Sequence, residues 1–153
     1  ALTGAQTYIV HLSCQEALDE AIAARRRGVK VWVETLIQYL LLDKSYAEKP
    51  DFEGAKYVMS PPLRHASNQD VLWDGLASGL VNTVGTDHAP FDFKDQKPMG
   101  KDDFSKIPNG IPSIDDRINL LYTYGVARGR LSLQQLVASA STNAATIFDL
   151  YPL

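Results

Sequence analysis

Two ionisable side chains follow apolar, strand-like segments of the sequence at the point where each segment ends. His11 closes the run Thr7-Tyr-Ile-Val, and Asp87 comes shortly after Leu80-Val-Asn-Thr-Val. Imidazole and carboxylate groups are ordinary ligands of Zn²⁺ and related ions, and both can act as general acids or bases. The pair therefore indicates a metal-binding or acid–base site, provided that both segment ends meet at one edge of a sheet.

Each of these residues also has an ordinary structural interpretation. His11 fits a hydrogen-bonded histidine of the core, because buried polar groups in proteins usually find partners. Asp87 and His88 fit a turn or a helix cap, in which short polar side chains bond to the nearby backbone. On the residues alone, both interpretations stay open beside the functional one.

Three apolar segments are predicted to form the strands that carry these residues. They cover residues 7–11, 29–33 and 80–84, and the first is expected to be buried on both faces. Each pair of successive strands is separated by a predicted helix. Short connections between strand, helix and strand are typical of right-handed βαβ crossovers, so we expect a parallel sheet.

Local capping patterns and loops complete the predicted organisation. The capping box Ser13–Glu16 begins a helix after the first strand, and Ser67 or Asn68 caps the helix before the third. Residues 34–64 and 91–112 are expected to be long loops, and loops of that length are usually functional or mobile. Further helical segments are predicted to begin at Ser113, Ser132 and Ser141.

Composition and charge limit the class of protein. The chain has 153 residues, of which 45% are hydrophobic and 22% charged, a mixture that excludes disorder, collagen-like repeats and a coiled coil. The net charge of −3 offers no general attraction to nucleic acid or anionic membranes, so neither partner is expected. No apolar run approaches the ~20 residues that cross a bilayer. The single cysteine, Cys14, fits a reducing compartment, and a cytoplasmic location is expected.

Several motifs occur in the same order as in a known family. They are Tyr8–Cys14, Asp51–Tyr57, Ser60–Arg64, Gly85–Phe91 and Lys106–Gly110. In these motifs the chain is similar to the D-hydantoinase and dihydropyrimidinase family of the amidohydrolase superfamily. The resemblance implies an α/β fold, namely the last three βα units and terminal helices of a TIM-type (β/α)8 barrel of a metal-dependent hydrolase. Residues 1–153 would then form a partial barrel domain without its N-terminal half and without a C-terminal β-sandwich.

The resemblance also implies an activity and a role for particular residues. The activity is hydrolysis of a small cyclic amide, a hydantoin or a dihydropyrimidine, by hydroxide activated at a dinuclear metal site, usually of zinc. His11 matches a metal-ligand histidine, and Asp87 matches an aspartate that binds metal and serves as the proton shuttle. Ser60 and Asn109 match residues that hold the amide and the carbonyl of the ring.

The chain carries only part of the ligand set that the resemblance implies. It contains no His-x-His pair, and His65 fits an exposed loop position, so weak metal binding is expected of the chain alone. The start without Met and the few strands lead us to expect a truncated or excised piece whose unpaired strand edges favour homo-oligomers. Two alternatives remain: a non-catalytic or oligomerising scaffold of the same fold, and a cyclic amidase of the allantoinase or dihydroorotase type.

Overall fold

A parallel sheet of three strands lies at the centre of the protein, whose computed structural model describes residues 3–152. The strands follow one another across the sheet in chain order: β1 (Thr7–Ile9), β2 (Val31–Leu36) and β3 (Thr83–Gly85). In the register Ile9 pairs with Val33, and Leu36 pairs with Gly85. The predicted α/β class and parallel sheet are confirmed. Residues 1, 2 and 153, which the predicted domain 1–153 includes, lie outside the described residues.

Helices flank the sheet and fill the long connections. Within the described chain they are α1 (Gln15–Arg26), α2 (Ile37–Leu41), α3 (Lys44–Ala47), α4 (Ser67–Ala77), α5 (Arg117–Leu120), α6 (Leu133–Val137) and α7 (Asn143–Ile147). π-helical turns at Leu121–Val126 and Ala138–Thr142 extend α5 and join α6 to α7, and 3₁₀ turns form at Glu53–Tyr57, Lys97–Gly100 and Phe104–Lys106. The predicted loop over 34–64 therefore contains two short helices. No helix of residues 3–152 combines the length and apolar character that a membrane crossing requires.

The core forms where helices pack against the middle strand. Val33 and Leu36 of β2 are fully buried. They share one cluster with Leu72 and Trp73 of α4, and the Trp73 indole N–H donates to the carbonyl oxygen of Leu40 in α2 at 3.2 Å. Burial of each large apolar side chain stabilises the fold by about 1.5–3 kcal/mol. The core therefore holds α2 and α4 against the strand that separates the two candidate site residues.

β1 is less buried than the sequence predicts. Thr7 is exposed, and Tyr8 and Ile9 are half-buried. The expectation of a strand buried on both faces is wrong because β1 lies at the edge of the sheet and pairs only with β2 among residues 3–152. The apolar composition of the segment predicted the strand correctly, but its burial depends on neighbours that the segment does not contain.

Helix α1 begins without the predicted capping box. The hydroxyl of the buried Ser13 accepts a hydrogen bond from Arg64 Nε at 3.1 Å, and Cys14 stands at the N-cap without a side-chain bond. The Asn68 Oδ1 atom accepts the backbone N–H of Gln15 at 2.8 Å instead. The cap of α1 therefore comes from α4: Asn68, which was a predicted cap of α4, caps α1 instead.

Ser132 behaves as the local pattern predicts. Its hydroxyl accepts the backbone N–H of Gln135 at 3.1 Å, and the Gln135 side chain accepts the backbone N–H of Ser132 at 2.7 Å. This reciprocal pair starts α6. The prediction holds here because both partners lie within four residues of each other, so no distant element competes for them.

Candidate active site

His11 and Asp87 occupy equivalent positions at one edge of the sheet. Each lies two residues beyond the last residue of its strand, β1 or β3, and the strands run parallel. Both residues have left-handed backbones, with φ of 41° for His11 and 43° for Asp87. Such conformations cost residues other than glycine about 1–3 kcal/mol and concentrate at functional sites. We call these two residues the strand-end pair.

The middle strand separates the two members of the strand-end pair. Neighbouring strands lie about 4.8 Å apart, so two spacings, about 10 Å, separate β1 from β3 across the sheet. The two ends are also staggered by about 10 Å along the strands, because Ile9 pairs with Val33 and Gly85 pairs with Leu36, three residues further along β2. His11 is half-buried and Asp87 is exposed. Within residues 3–152, three or more His, Cys, Asp or Glu side chains nowhere come together in a way that could hold a metal ion. The pair is thus at most part of a metal site.

The residue before Asp87 is anchored by a buried amide and a hydroxyl. The carbonyl oxygen of Thr86 accepts Gln38 Nε2 at 2.6 Å and Ser113 Oγ at 2.8 Å. Gln38, only 4% exposed, also donates Nε2 to Ser113 Oγ at 2.9 Å. The sequence analysis did not identify Gln38 as a site residue. The feature that could have indicated it is a single amide side chain within the otherwise apolar segment of α2.

The residue after Asp87 is anchored to the same segment. The Nδ1 atom of His88 accepts the backbone N–H of Ser113 at 3.0 Å and that of Ile114 at 3.1 Å. Because Nδ1 accepts two bonds, the neutral ring carries its proton on Nε2. The prediction that Ser113 caps a helix is wrong, since its hydroxyl bonds to Thr86 instead. Asp87 is therefore held between two fixed neighbours.

Tyr39 connects α2 to the segment that begins at Ser60. Its hydroxyl donates to the carbonyl oxygen of Pro61 at 2.6 Å. Burial raises the pKa of Tyr39, the negative charge of Asp87 raises it further, and the positive charge of Arg64 opposes both. The phenol therefore stays neutral and keeps its donor role at physiological pH.

Ser60 and Asn109 come together although 49 residues separate them. The Ser60 hydroxyl donates to Asn109 Oδ1 at 3.1 Å, and both side chains are exposed. Behind them, the Gly110 backbone N–H donates to the carbonyl oxygen of Val58 at 2.9 Å. The long loops that follow β2 and β3 thus meet at these two residues. His65, by contrast, lies in an exposed position and bonds to Ser67, as a surface loop residue does.

Solved structures match the fold over nearly the whole chain. The D-hydantoinase (dihydropyrimidinase) from Thermus sp. superposes with a TM-score of 0.96 at 59% identity, over 99% of this chain and 33% of that one. The dihydropyrimidinase from Brevibacillus agri gives a TM-score of 0.96 at 52% identity, with the same coverage. These matches confirm the predicted fold class, an α/β portion of a TIM-type hydrolase barrel.

Sequence comparison leads to the same family. The curated D-hydantoinase of Geobacillus stearothermophilus is 52% identical over 151 residues, which are 99% of this chain and 32% of that protein. No protein-family model matches the chain. The chain is homologous to the D-hydantoinase and dihydropyrimidinase family of the amidohydrolase superfamily, as its ordered motifs predict. It spans about a third of the length of the curated relatives that it matches.

Proposed function

We propose that the chain supplies part of the active site of an enzyme that hydrolyses small cyclic amides, hydantoins or dihydropyrimidines. The observation that carries this proposal is the strand-end pair, His11 and Asp87, in the same left-handed conformation at equivalent strand ends. Homology to D-hydantoinases and dihydropyrimidinases along 99% of the chain supports the choice of reaction.

The family is metal-dependent, and we propose that the strand-end pair contributes ligands to a dinuclear zinc site. Imidazole nitrogen and carboxylate oxygen suit zinc, so the donor chemistry of His11 and Asp87 fits. Because the described residues hold no cluster of three or more such groups, further ligands would come from outside them. When bound, such metal ions supply a Lewis acid for the carbonyl group and lower the pKa of water.

Asp87 is proposed to move the proton. As a carboxylate it accepts the proton of the attacking water, and it then donates that proton to the ring nitrogen as the carbon–nitrogen bond breaks. Its neighbours Thr86 and His88 are both bonded to the segment at Ser113, which limits movement of the backbone that carries the carboxylate. A fixed position matters because small displacements of a proton-transfer group lower the rate strongly.

Ser60 and Asn109 are proposed to hold the ring. A hydroxyl and a carboxamide together offer donors for a ring carbonyl and acceptors for a ring N–H. Their present hydrogen bond to each other is exposed, so substrate groups can replace it without leaving a buried partner unsatisfied.

The domain assignment, location and assembly are further proposals. Residues 1–153 are proposed to form part of one barrel domain of a cytoplasmic protein. The edge strand β1 supports a homo-oligomer or further barrel strands, because an unpaired strand edge favours pairing.

The test is a chimera in which this chain replaces the matching third of the G. stearothermophilus D-hydantoinase. We expect it to bind metal, by elemental analysis, and to hydrolyse hydantoin or dihydrouracil. Asp87→Asn should lower kcat by about 10²–10⁴-fold, the usual contribution of a positioned acid or base.

Asp149→Asn is the matched control. Asp149 is also an exposed aspartate with a left-handed backbone, φ 56°, but it lies beside residues 30–32 at the opposite end of β2. Its substitution should leave turnover unchanged. A folded, metal-loaded chimera without turnover would favour the non-catalytic scaffold, and full activity of Asp87→Asn would contradict the proton shuttle.

A further inference from the structure

Lys97 is a buried lysine in the loop between β3 and α5. Only 2% of its surface is exposed, and it is among the largest fully buried side chains. Its ammonium group forms no ion pair with residues 3–152. Burial lowers its pKa, because a charge held away from water is less favourable. A lysine is almost never buried unless specific partners stabilise it.

The partners of Lys97 are three backbone carbonyl groups. Its Nζ atom donates to the oxygen of Val58 at 3.2 Å, of Pro108 at 2.6 Å and of Gly110 at 3.0 Å. An ammonium group has three N–H donors, so all of them are used. Bonds from a charged donor are stronger than those between neutral groups. We call Lys97 and these three carbonyl groups the lysine clamp.

The clamp joins the two loops that carry the proposed ring-holding residues. Val58 lies two residues before Ser60, and Pro108 and Gly110 are the immediate neighbours of Asn109. The same Val58 oxygen also accepts the Gly110 backbone N–H. The ammonium group and this backbone bond together hold the two loops at a set distance, directly behind the exposed contact of Ser60 with Asn109.

We propose that Lys97 is a positioning residue that sets the separation of Ser60 and Asn109 and thereby the affinity for the cyclic-amide ring. This inference rests on the proposed function. Lys97 acts through the backbone, because its three donors are used by carbonyl groups and none is free for a ligand. The clamp is separate from proton transfer at Asp87, so it should affect binding of the ring more than the chemical step.

Lys97→Met in the chimera tests the clamp, because methionine keeps an unbranched apolar chain as far as Cε but lacks the ammonium group and its donors. We expect KM for dihydrouracil to rise about tenfold while kcat changes less than about threefold, a loss of uniform binding. Hydrogen exchange at the Gly110 amide should become faster. Lys106→Met is the control, since Lys106 lies in the same loop but is exposed and, among residues 3–152, forms an ion pair only with Asp103. The KM of this variant should not change.

Each outcome of the test decides a different point. Faster exchange at Gly110 with an unchanged KM would make the clamp purely structural and overturn the inference. If Lys97→Met does not fold, as judged by circular dichroism, Lys97→Arg keeps a cation whose planar fork cannot reproduce the three bonds. It should raise KM in the same direction, and an unchanged KM would overturn the inference. An unsubstituted chimera that folds but neither binds nor hydrolyses the ring would instead overturn the proposed function.

Discussion

The strand-end pair and the lysine clamp are held in place by different means. His11 and Asp87 follow the ends of paired strands, and their left-handed backbones repeat the same geometry at two places. The loops of Ser60 and Asn109 are joined instead by the bond from the Gly110 N–H to the Val58 oxygen and by the buried Lys97 ammonium group, which binds carbonyl groups of both loops. The difference teaches that the sheet positions the groups proposed to react, whereas contacts between two loops, with Lys97 at their centre, position the groups proposed to hold the ring. The strand-end pair should therefore be sensitive to side-chain chemistry, and the clamp to backbone separation.

Beside Asp87→Asn, His11→Gln should have the largest effect. Glutamine keeps a polar side chain but removes the imidazole nitrogen proposed to bind zinc. We expect the metal content of the chimera to fall and turnover to drop about 10³-fold, equivalent to about 4 kcal/mol of transition-state stabilisation. Elemental analysis and kcat/KM measure the two effects. His65→Gln, which changes an exposed loop histidine, is the control; equal metal content in both variants would contradict the role of His11.

Gly110→Ala should have an intermediate effect and act on the clamp. The backbone of Gly110 has φ 155°, and an added Cβ would overlap the carbonyl oxygen and Cβ of Ala89. We expect the free energy of unfolding to fall by about 1–3 kcal/mol, the usual cost of overpacking. Urea denaturation measures this change. KM should rise as in Lys97→Met because Gly110 must shift away from Ala89, which disturbs its bonds with Val58 and Lys97.

A substitution at a second glycine, Gly129, distinguishes the effect of atomic overlap from the effect of an unfavourable backbone conformation. Gly129 has φ 71° with nothing within 4 Å of an added Cβ. Gly129→Ala should therefore be destabilised only by its backbone conformation, by about 1 kcal/mol, and should leave KM unchanged. A KM rise as large as that of Gly110→Ala would show that the effect does not come from the clamp.

Tyr8 should give the smallest effect, through the register of the strands that carry the strand-end pair. Its hydroxyl lies 2.9 Å from Glu34 Oε2 and 2.6 Å from Thr83 Oγ1, so it bridges all three strands. Burial raises the pKa of Tyr8 to about 12 from 10.0, the Glu34 carboxylate adds to the rise, and the bond to Thr83 opposes it.

The sign of the pH effect follows from this shift. The folded state favours the neutral phenol of Tyr8. Its contribution to the free energy of unfolding is therefore complete below pH 10.0 and is lost as the pH rises towards about 12. The loss should be about 1 kcal/mol, since Tyr8 is partly exposed and solvent weakens the effect. Unfolding free energies of the unsubstituted chimera and of Tyr8→Phe, compared from pH 9 to about pH 12, should converge over this range. Parallel curves would contradict the bridge.

Local patterns in the sequence predicted the elements better than their contacts. The apolar runs before His11 and Asp87 predicted two strands, with His11 as the last residue of the first and Asp87 just beyond the third, because strand formation follows short-range periodicity. The capping box at Ser132 formed for the same reason. The predicted capping box at Ser13 did not form. Arg64, from a distant segment, donates to the Ser13 hydroxyl, and Asn68 accepts the Gln15 N–H at the start of the helix.

The sequence by itself determined the alternation of strands and helices, the resemblance to D-hydantoinases and dihydropyrimidinases, and the positions of His11 and Asp87 at strand ends. The tertiary structure alone decided that Ser60 meets Asn109 and that Lys97 is buried between their loops. Backbone carbonyl groups are identical at every residue, so no sequence pattern shows which three an ammonium group will reach. Their arrangement depends on how the loops pack, and that depends on the whole core.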